Sequence, residues 1–270
     1  MSKEQYHQCL RENRPYFGTY LGARQGDPRR HIYMQSVVQA VAEQKGGAPI
    51  RILELGSWAG GSAITWAAAL KRLNGGRGLV VCVDPWTPYF DPKSLGGNQT
   101  LHEMSGALES GEIVRLFQHN VRTTGNDDVV IAIAASATEM TQRFAAESFD
   151  IVFIDANHFY EHMRADLMYS LRLVAQNGFL CGDDLEAQMS EVDAGNCRAN
   201  TKQDYIQDPK SGKYHHPGVT LAVGECLGEV RSWEGFWAVR RVSSGWNTKP
   251  ELDASGFDVP HHLRVWLNAA

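Results

Sequence analysis

The sequence predicts a three-layer α/β sandwich around a mostly parallel sheet. Short apolar runs rich in valine, isoleucine and leucine alternate with longer segments of helical periodicity, the pattern of repeated strand–helix units. These runs are apolar at nearly every position, as in strands covered on both faces. A glycine-rich turn joins the first of them to the helix that follows. The chain has 270 residues, 43% hydrophobic and 21% charged, the make-up of a soluble globular protein that can bury one good core. We read a single domain over 1–270, with a core at about 31–242, an N-terminal arm at 1–30, a polar insertion at 185–217 and a tail at 243–270.

Residues 31–45, HIYMQSVVQAVAEQK, repeat apolar positions at helical spacing and stop at Gly46-Gly47. IRILEL (50–55) is the first strand, and SAITWAAALKRL forms the helix after its glycine turn. GLVVCVD (78–84) and VVIAIA (129–134) read as the second and third strands. FDIVFID (149–155) is the fourth and leads into a helix, FYEHMRADLMYSLRLV. NGFLCGDD (177–184) is the fifth strand; a last helix, VTLAVGECLG, precedes the terminal strand GFWAVRR (235–241).

The net charge of −5 and the lack of any long Lys/Arg run argue against a nucleic-acid partner. No apolar stretch reaches the length of a membrane span, and MSKEQYHQCL has no signal-type hydrophobic run. Cys9, Cys82, Cys181, Cys197 and Cys226 are scattered, with no C-x-x-C pair, which suits buried thiols in a reducing cytoplasm. The arms at both ends leave room for a homo-oligomer.

LELGSWAGGS (53–62) lies where the first strand passes into its helix. Gly56 permits a sharp turn, while Gly60 and Gly61 let a ligand approach the backbone. No G-K-[ST] follows, and the G-x-G-x-x-G spacing is not met. A tight turn would account for the glycines by itself. Two acids add to them: Glu54 just before the turn, and Asp84 at the end of the second strand. A carboxylate in Asp84's position can hold a ribose diol through two charge-assisted hydrogen bonds, which points to an adenosine-type ligand.

Four segments, ELGSWAGGSAITWA, CVDPW, FIDANHFYEHMRADL and GFLCGDDL, together resemble the motifs of class I S-adenosylmethionine-dependent methyltransferases. Within them the chain is most similar to the branch of macrocin and other sugar O-methyltransferases and cephalosporin-hydroxylase-like proteins, and more distantly to catechol O-methyltransferase. The resemblance covers about residues 50–240. It implies a Rossmann-like sandwich with a seven-stranded, mostly parallel sheet, and S-adenosylmethionine as cofactor. It puts Glu54, Gly56 and Ser57 at the methionine end, with Gly60, Gly61 and Ser62 nearby, and Asp84 on the ribose. Pro85 and Trp86 would border the adenine, and Ser136 and Ala137 would meet its edge. Trp86 equally suits a lid or a core aromatic.

Asp155 ends the fourth strand, and Asp183 and Asp184 end the fifth. Neighbouring strands lie roughly 4.8 Å apart, so these carboxylates converge and need a neutralising cation. Oxygen ligands favour a hard ion, Mg²⁺ or another such divalent, and the resemblance implies an ion at these positions. Alternatively, Asp184 caps the segment after it. His158, Glu161 and His162 also spell H-x-x-E-H, an inverted zinc-peptidase signature, with Glu225 and Glu229 as conceivable third ligands. That motif opens a crossover helix whose stripe is Met163, Leu167 and Leu171, so we read it as a chance match.

The expected reaction is metal-dependent methyl transfer to a hydroxyl of a small molecule, a sugar or glycosylated natural product first and a catechol-like phenol second. His158, three residues past Asp155, is the first candidate for the base, with His216 second, its neighbour His215 less suited, and Asp155 itself able to take the proton. Tyr205 and Tyr214 in the insertion suit an amphiphilic acceptor. A different chemistry on the same scaffold, as in cephalosporin-hydroxylase-like proteins, and a nucleoside-binding protein without catalysis remain as alternatives.

Overall fold

The structure, a computed structural model, describes residues 2–24, 26–89 and 98–264. In chain order the helices are α1 (Lys3–Arg11), α2 (Arg30–Lys45), α3 (Gly61–Asn74), α4 (Gln99–Glu109), α5 (Glu112–Thr123), α6 (Ala137–Arg143), α7 (Tyr160–Leu171), α8 (Ala194–Ala199) and α9 (Pro217–Leu227). The strands are β1 (Ile50–Leu55), β2 (Gly78–Asp84), β3 (Val130–Ala134), β4 (Phe149–Ile154), β5 (Val174–Gly182), β6 (Ile206–Gln207), β7 (Tyr214–His215), β8 (Arg231–Trp233), β9 (Phe236–Val242) and β10 (Gly245–Asn247).

The main sheet runs β3-β2-β1-β4-β5-β9, with the first five strands parallel and β9 antiparallel to β5. Both β8 and β10 pair with β9, at residues 236–238 and 240–242. Since β5 occupies one edge of β9, these two short strands share the other edge end to end, and eight strands fill seven lateral positions. The mostly parallel sandwich is therefore as expected, with one seat split between two pieces.

Alternate strand residues serve opposite layers, as a period of two requires. Ile50, Ile52, Val80, Ile151, Phe153 and Phe179 pack with α2, α3 and α5 residues such as Val37, Trp66 and Phe117. Leu53, Leu55, Val152, Ile154 and Leu180 face Met163 and Leu167 of α7 and Val219 and Val223 of α9. The helices of the crossovers thus cover both faces, and the loops that carry chemistry gather at the C-terminal ends of the parallel strands.

The N-terminal arm and the tail are integral parts of this body. Tyr6, Tyr16 and Phe17 are buried in the first core, as are Val259 and Leu263. Asn120 of α5 fastens the arm: its Oδ1 accepts from the Tyr16 amide at 2.8 Å, and its Nδ2 donates to the Tyr16 and Ala59 carbonyls at 3.0 and 2.9 Å. The insertion is not plain loop either, since it holds α8 and the small β6–β7 hairpin. Residues 265–270 of the expected tail lie outside the described residues. Among the described residues, no helix is long and apolar enough to cross a membrane.

Candidate active site

A cavity of about 530 Å³ opens over the tips of β1, β2, β4 and β5. At one end, Gly56 turns the chain with φ of +84°. A Cβ there would sit 1.9 Å from the Asp155 carbonyl oxygen, so only glycine lets β1 and β4 leave the sheet side by side. Asp84 sits at the tip of β2 and is almost fully buried. Its Oδ2 accepts from the amides of Ser57 and Trp58 at 2.9 and 3.0 Å, and its Oδ1 from the Trp86 amide at 2.7 Å. Burial raises the pKa of this carboxyl, against the pull of those three N–H groups. Oδ1 keeps a lone pair free, and the residue still lines the cavity.

Of the residues expected around the cofactor, Gly56, Ser57, Gly61, Ser62, Asp84, Pro85, Ser136 and Ala137 line the cavity. Three do not. Glu54 is wholly buried, enclosed by Ser57, Ser62 and Cys82, with neither oxygen in hydrogen-bonding geometry, and burial pushes its carboxyl up to about 7. Gly60 stands just before α3 with φ of +88°, and its missing Cβ makes room for the Phe117 ring. Trp86 turns away from the cavity into the core, 5.0 Å from Phe117, with its Nε1 donating to the Trp58 carbonyl at 3.0 Å. Its expected place beside an adenine is thus corrected: an apolar ring gains more from the core than from the rim. Trp58, which pattern reading passed over, lines the cavity instead and donates to the carbonyls of Leu21 and Gly22.

At the other end the structure brings Asp155, Asp183 and Asp184 together, and adds a cation that the sequence reading missed. Arg30, in the first turn of α2, is 9% exposed at its side chain and lies 2.8 Å from both Asp183 Oδ1 and Asp184 Oδ1, and 3.0 Å from Glu186 Oε1. Its Nε donates to the Glu234 carbonyl. The Asp183 contact has the distance of an ion pair without hydrogen-bond alignment. A signal was available: Arg29 and Arg30 open a helix, where positive charge opposes the macrodipole, so a remote acidic partner was to be expected. Burial raises the Asp155 carboxyl well above the usual range, reinforced by Asp183 and Asp184. Burial also lifts Asp183, to about 6 against the pull of Arg30. Asp184 runs the other way, because His158, His216 and Arg30 outweigh its burial. With φ of +61° and its carboxylate spent on these partners, Asp184 is no helix cap.

His158 lies between two carboxylates: its Nδ1 is hydrogen-bonded to Asp204 Oδ1 at 2.7 Å, and its Nε2 stands 2.9 Å from Asp184 Oδ2, the distance of an ion pair without hydrogen-bond alignment. Burial would discharge the ring, but Asp184 and Asp204 overcome it and hold it as an imidazolium. An imidazolium has no lone pair, so the expectation that His158 is the base does not fit this geometry. His216 is also held above its ordinary value, Asp204 and Asp184 outweighing its burial, but it is less tightly clamped: its Nδ1 is fixed by the Asp204 carbonyl at 2.7 Å, while Nε2 stands 3.9 Å from Asp184 Oδ1. His215 is fully buried against Thr220 and takes no part. His162 lines the cavity from α7, but the groups of side chains able to share an ion among the described residues join His158 to Asp155, Asp184, Asp204 and His216, never to His162. The zinc-peptidase spacing therefore builds no shared site.

A glycine turn after β1, an acid at the tip of β2 and the strand order β3-β2-β1-β4-β5-β9 give the chain the fold of class I S-adenosylmethionine-dependent methyltransferases. Residues 53–185, from the glycine turn to the end of the acidic pair, match the family described as a methyltransferase domain, and the chain carries that domain. Among solved structures the chain is similar to cofactor-bound Rv0187 from MTB, at 19% identity over 88% of this chain and 89% of that one, with a TM-score of 0.51. It is likewise similar to a putative O-methyltransferase from Klebsiella pneumoniae (16% identity, 90% and 92% covered, TM-score 0.51). The O-methyltransferase NovP gives 14% identity, 80% of each chain and a TM-score of 0.52. At such identities the likeness is one of fold. No protein of curated function matches the sequence significantly.

Proposed function

We propose that this enzyme transfers the methyl group of S-adenosylmethionine to a hydroxyl oxygen of a small polyhydroxylated acceptor, a sugar or glycoside, with His216 taking the proton. The observation that carries this is the contrast between the two cavity histidines: His158 is clamped between Asp204 and Asp184, with Nε2 2.9 Å from the Asp184 carboxylate, whereas His216 Nε2 stands 3.9 Å from it with no hydrogen bond, at the cavity wall. The acceptor oxygen attacks the methyl carbon in line with sulfur, the carbon–sulfur bond breaks with its electron pair passing to sulfur, and the hydroxyl proton passes to Nε2. The chain's work is alignment: Asp84 and the glycine loop hold the nucleoside, and the charged cluster orients the acceptor.

The donor set also suits a divalent ion. Asp155, Asp184 and, once an ion displaces its proton, His158 offer ligand atoms within 4.8 Å of one another, two of them carboxylate oxygens of the kind a hard ion takes. Asp183, the third acid expected there, is engaged by Arg30 and would complete the set only by turning from it. When bound, such an ion would lower the pKa of the acceptor hydroxyl. The stacked, half-exposed pair Tyr205 and Tyr214, with Tyr205 4.8 Å from His216, favours a phenolic acceptor as the second reading. All five cysteines are free, which supports a cytoplasmic setting.

Methyl-labelled S-adenosylmethionine, offered with a panel of sugars, glycosides and catechols with and without Mg²⁺, tests the reading. Label transfer to a sugar hydroxyl, cut about 10² to 10⁴-fold in His216→Ala while S-adenosylhomocysteine still binds, is the expected result. A fully active His216→Ala would remove the base, and binding without transfer to any member would remove the reaction.

A further inference from the structure

His31 lies in the first turn of α2, outside the segment that matches the methyltransferase domain, yet it lines the cavity beside Gly61. Its Nδ1 is 2.7 Å from Thr65 Oγ1. Thr65 Oγ1 is also 3.2 Å from the Gly61 carbonyl, and both bonds are made together only when Nδ1 donates to Oγ1 and the hydroxyl donates to the carbonyl. That fixes the tautomer: Nε2 carries a lone pair. Among the described residues Nε2 has no hydrogen-bond partner and is not fully enclosed, so it reaches open space. Burial, with His262 and Arg30 nearby, drives the pKa of the ring down to about 3, and it stays an uncharged acceptor at neutral pH.

The cavity's layout says what an acceptor there would meet. Asp84 and Ser136 mark its nucleoside end and His216 its transfer end, so the sulfur lies between them and its amino-acid arm runs along the glycine loop. The N-terminal amides of α3, at Gly61 and Ser62, suit a carboxylate. The other charge on a methionine arm is an ammonium, which needs a lone pair. We infer that His31 Nε2 accepts a hydrogen bond from the α-ammonium of the cofactor, making His31 a cofactor-binding residue that selects the amino-acid end. This rests on the methyltransferase reading of the cavity.

Calorimetry with S-adenosylhomocysteine and with 5′-methylthioadenosine, which lacks the amino-acid arm, tests it on the full chain. His31→Leu should weaken S-adenosylhomocysteine about 10- to 100-fold, the scale of one hydrogen bond to a charged group, and leave methylthioadenosine within about twofold. His31→Gln, which can place an oxygen where Nε2 stands, should recover much of the loss. Equal weakening of both ligands would mean a merely structural role and overturn the inference, as would unchanged affinity in His31→Leu. Should His31→Leu fail to fold, the deamino analogue of S-adenosylhomocysteine on the wild type serves instead: binding equal to that of the parent ligand overturns the inference. Failure of the wild type to bind either nucleoside would sink the cofactor reading itself, a separate outcome.

Discussion

At the end of the cavity proposed for the cofactor, the polar frame comes from two neighbouring strand tips: the Asp84 carboxylate at β2 is knitted to the amides that follow β1. The end proposed for the acceptor collects its charges from across the chain, with Arg30 ahead of the sheet, Asp155 and Asp184 just past the ends of β4 and β5, and Asp204 and His216 in the insertion. The first frame is held by backbone donors that cannot be mutated away. The second is a balance of side-chain charges in which each member sets the state of the others. One end should therefore respond to substitution as a local lesion, and the other as a network.

The largest effect should come from Arg30→Met. It leaves Asp183, Asp184 and Glu186 buried without their guanidinium, and breaking buried pairs in this way costs about 3–5 kcal/mol. Urea unfolding of the variant measures it; a loss below about 1 kcal/mol would mean the acids are neutralised by something else. Asp84→Asn should act on the opposite end alone, weakening S-adenosylhomocysteine by about 30- to 100-fold, as expected for lost charge-assisted bonds. Stability loss without an affinity loss would dissolve the proposed distinction between the two ends.

Acid should reveal a third, intermediate effect. His262 donates to the Gly61 carbonyl at 2.9 Å and is held down to about 4 by burial, helped by His261 and opposed by its Gly61 bond. Its folded pKa lies below the unfolded value of 6.5, so the unfolded chain binds the proton first. The stability this group gives is complete above about pH 6.5 and is lost as pH falls toward 4, by about 2 kcal/mol at pH 5. His262→Gln should flatten the difference between unfolding at pH 7 and pH 5 by that amount. The smallest effect belongs to His162→Ala, which should leave both rate and stability within about 0.5 kcal/mol, with no zinc in the purified protein. A loss as large as that of His216→Ala would revive the paired-histidine reading.

These contrasts also explain what the sequence disclosed. The parallel strands and the glycine turn were legible because a buried parallel strand is apolar throughout and because Gly56 has no substitute where β1 meets Asp155. Asp155, Asp183 and Asp184 were legible as a converging set, since strand ends place them. Their neutralisation was not, because Arg30 reaches Asp184 across 154 positions of chain and no periodicity encodes such a pair. Trp86 was misplaced for a similar reason: the motif puts it next to Asp84, but a positive φ at that residue, 43°, swings the ring toward Phe117. The helices α4 and α5 went unread, although α5 buries Ile113, Leu116, Phe117 and Val121 along one side.

The His262–Gly61 bond has a consequence in time. It joins residues 201 apart, so a ribosome adding about 5–20 residues per second delivers His262 roughly 10–40 s after the glycine loop it steadies. During that interval the loop, its strands and Asp84 are already synthesised, but the carbonyl of Gly61 lacks this donor and Phe17 lacks the ring that covers it at 5.2 Å. For that interval the nascent chain holds the proposed nucleoside pocket with one wall still to come, and free nucleoside in the cell can meet it before that wall closes.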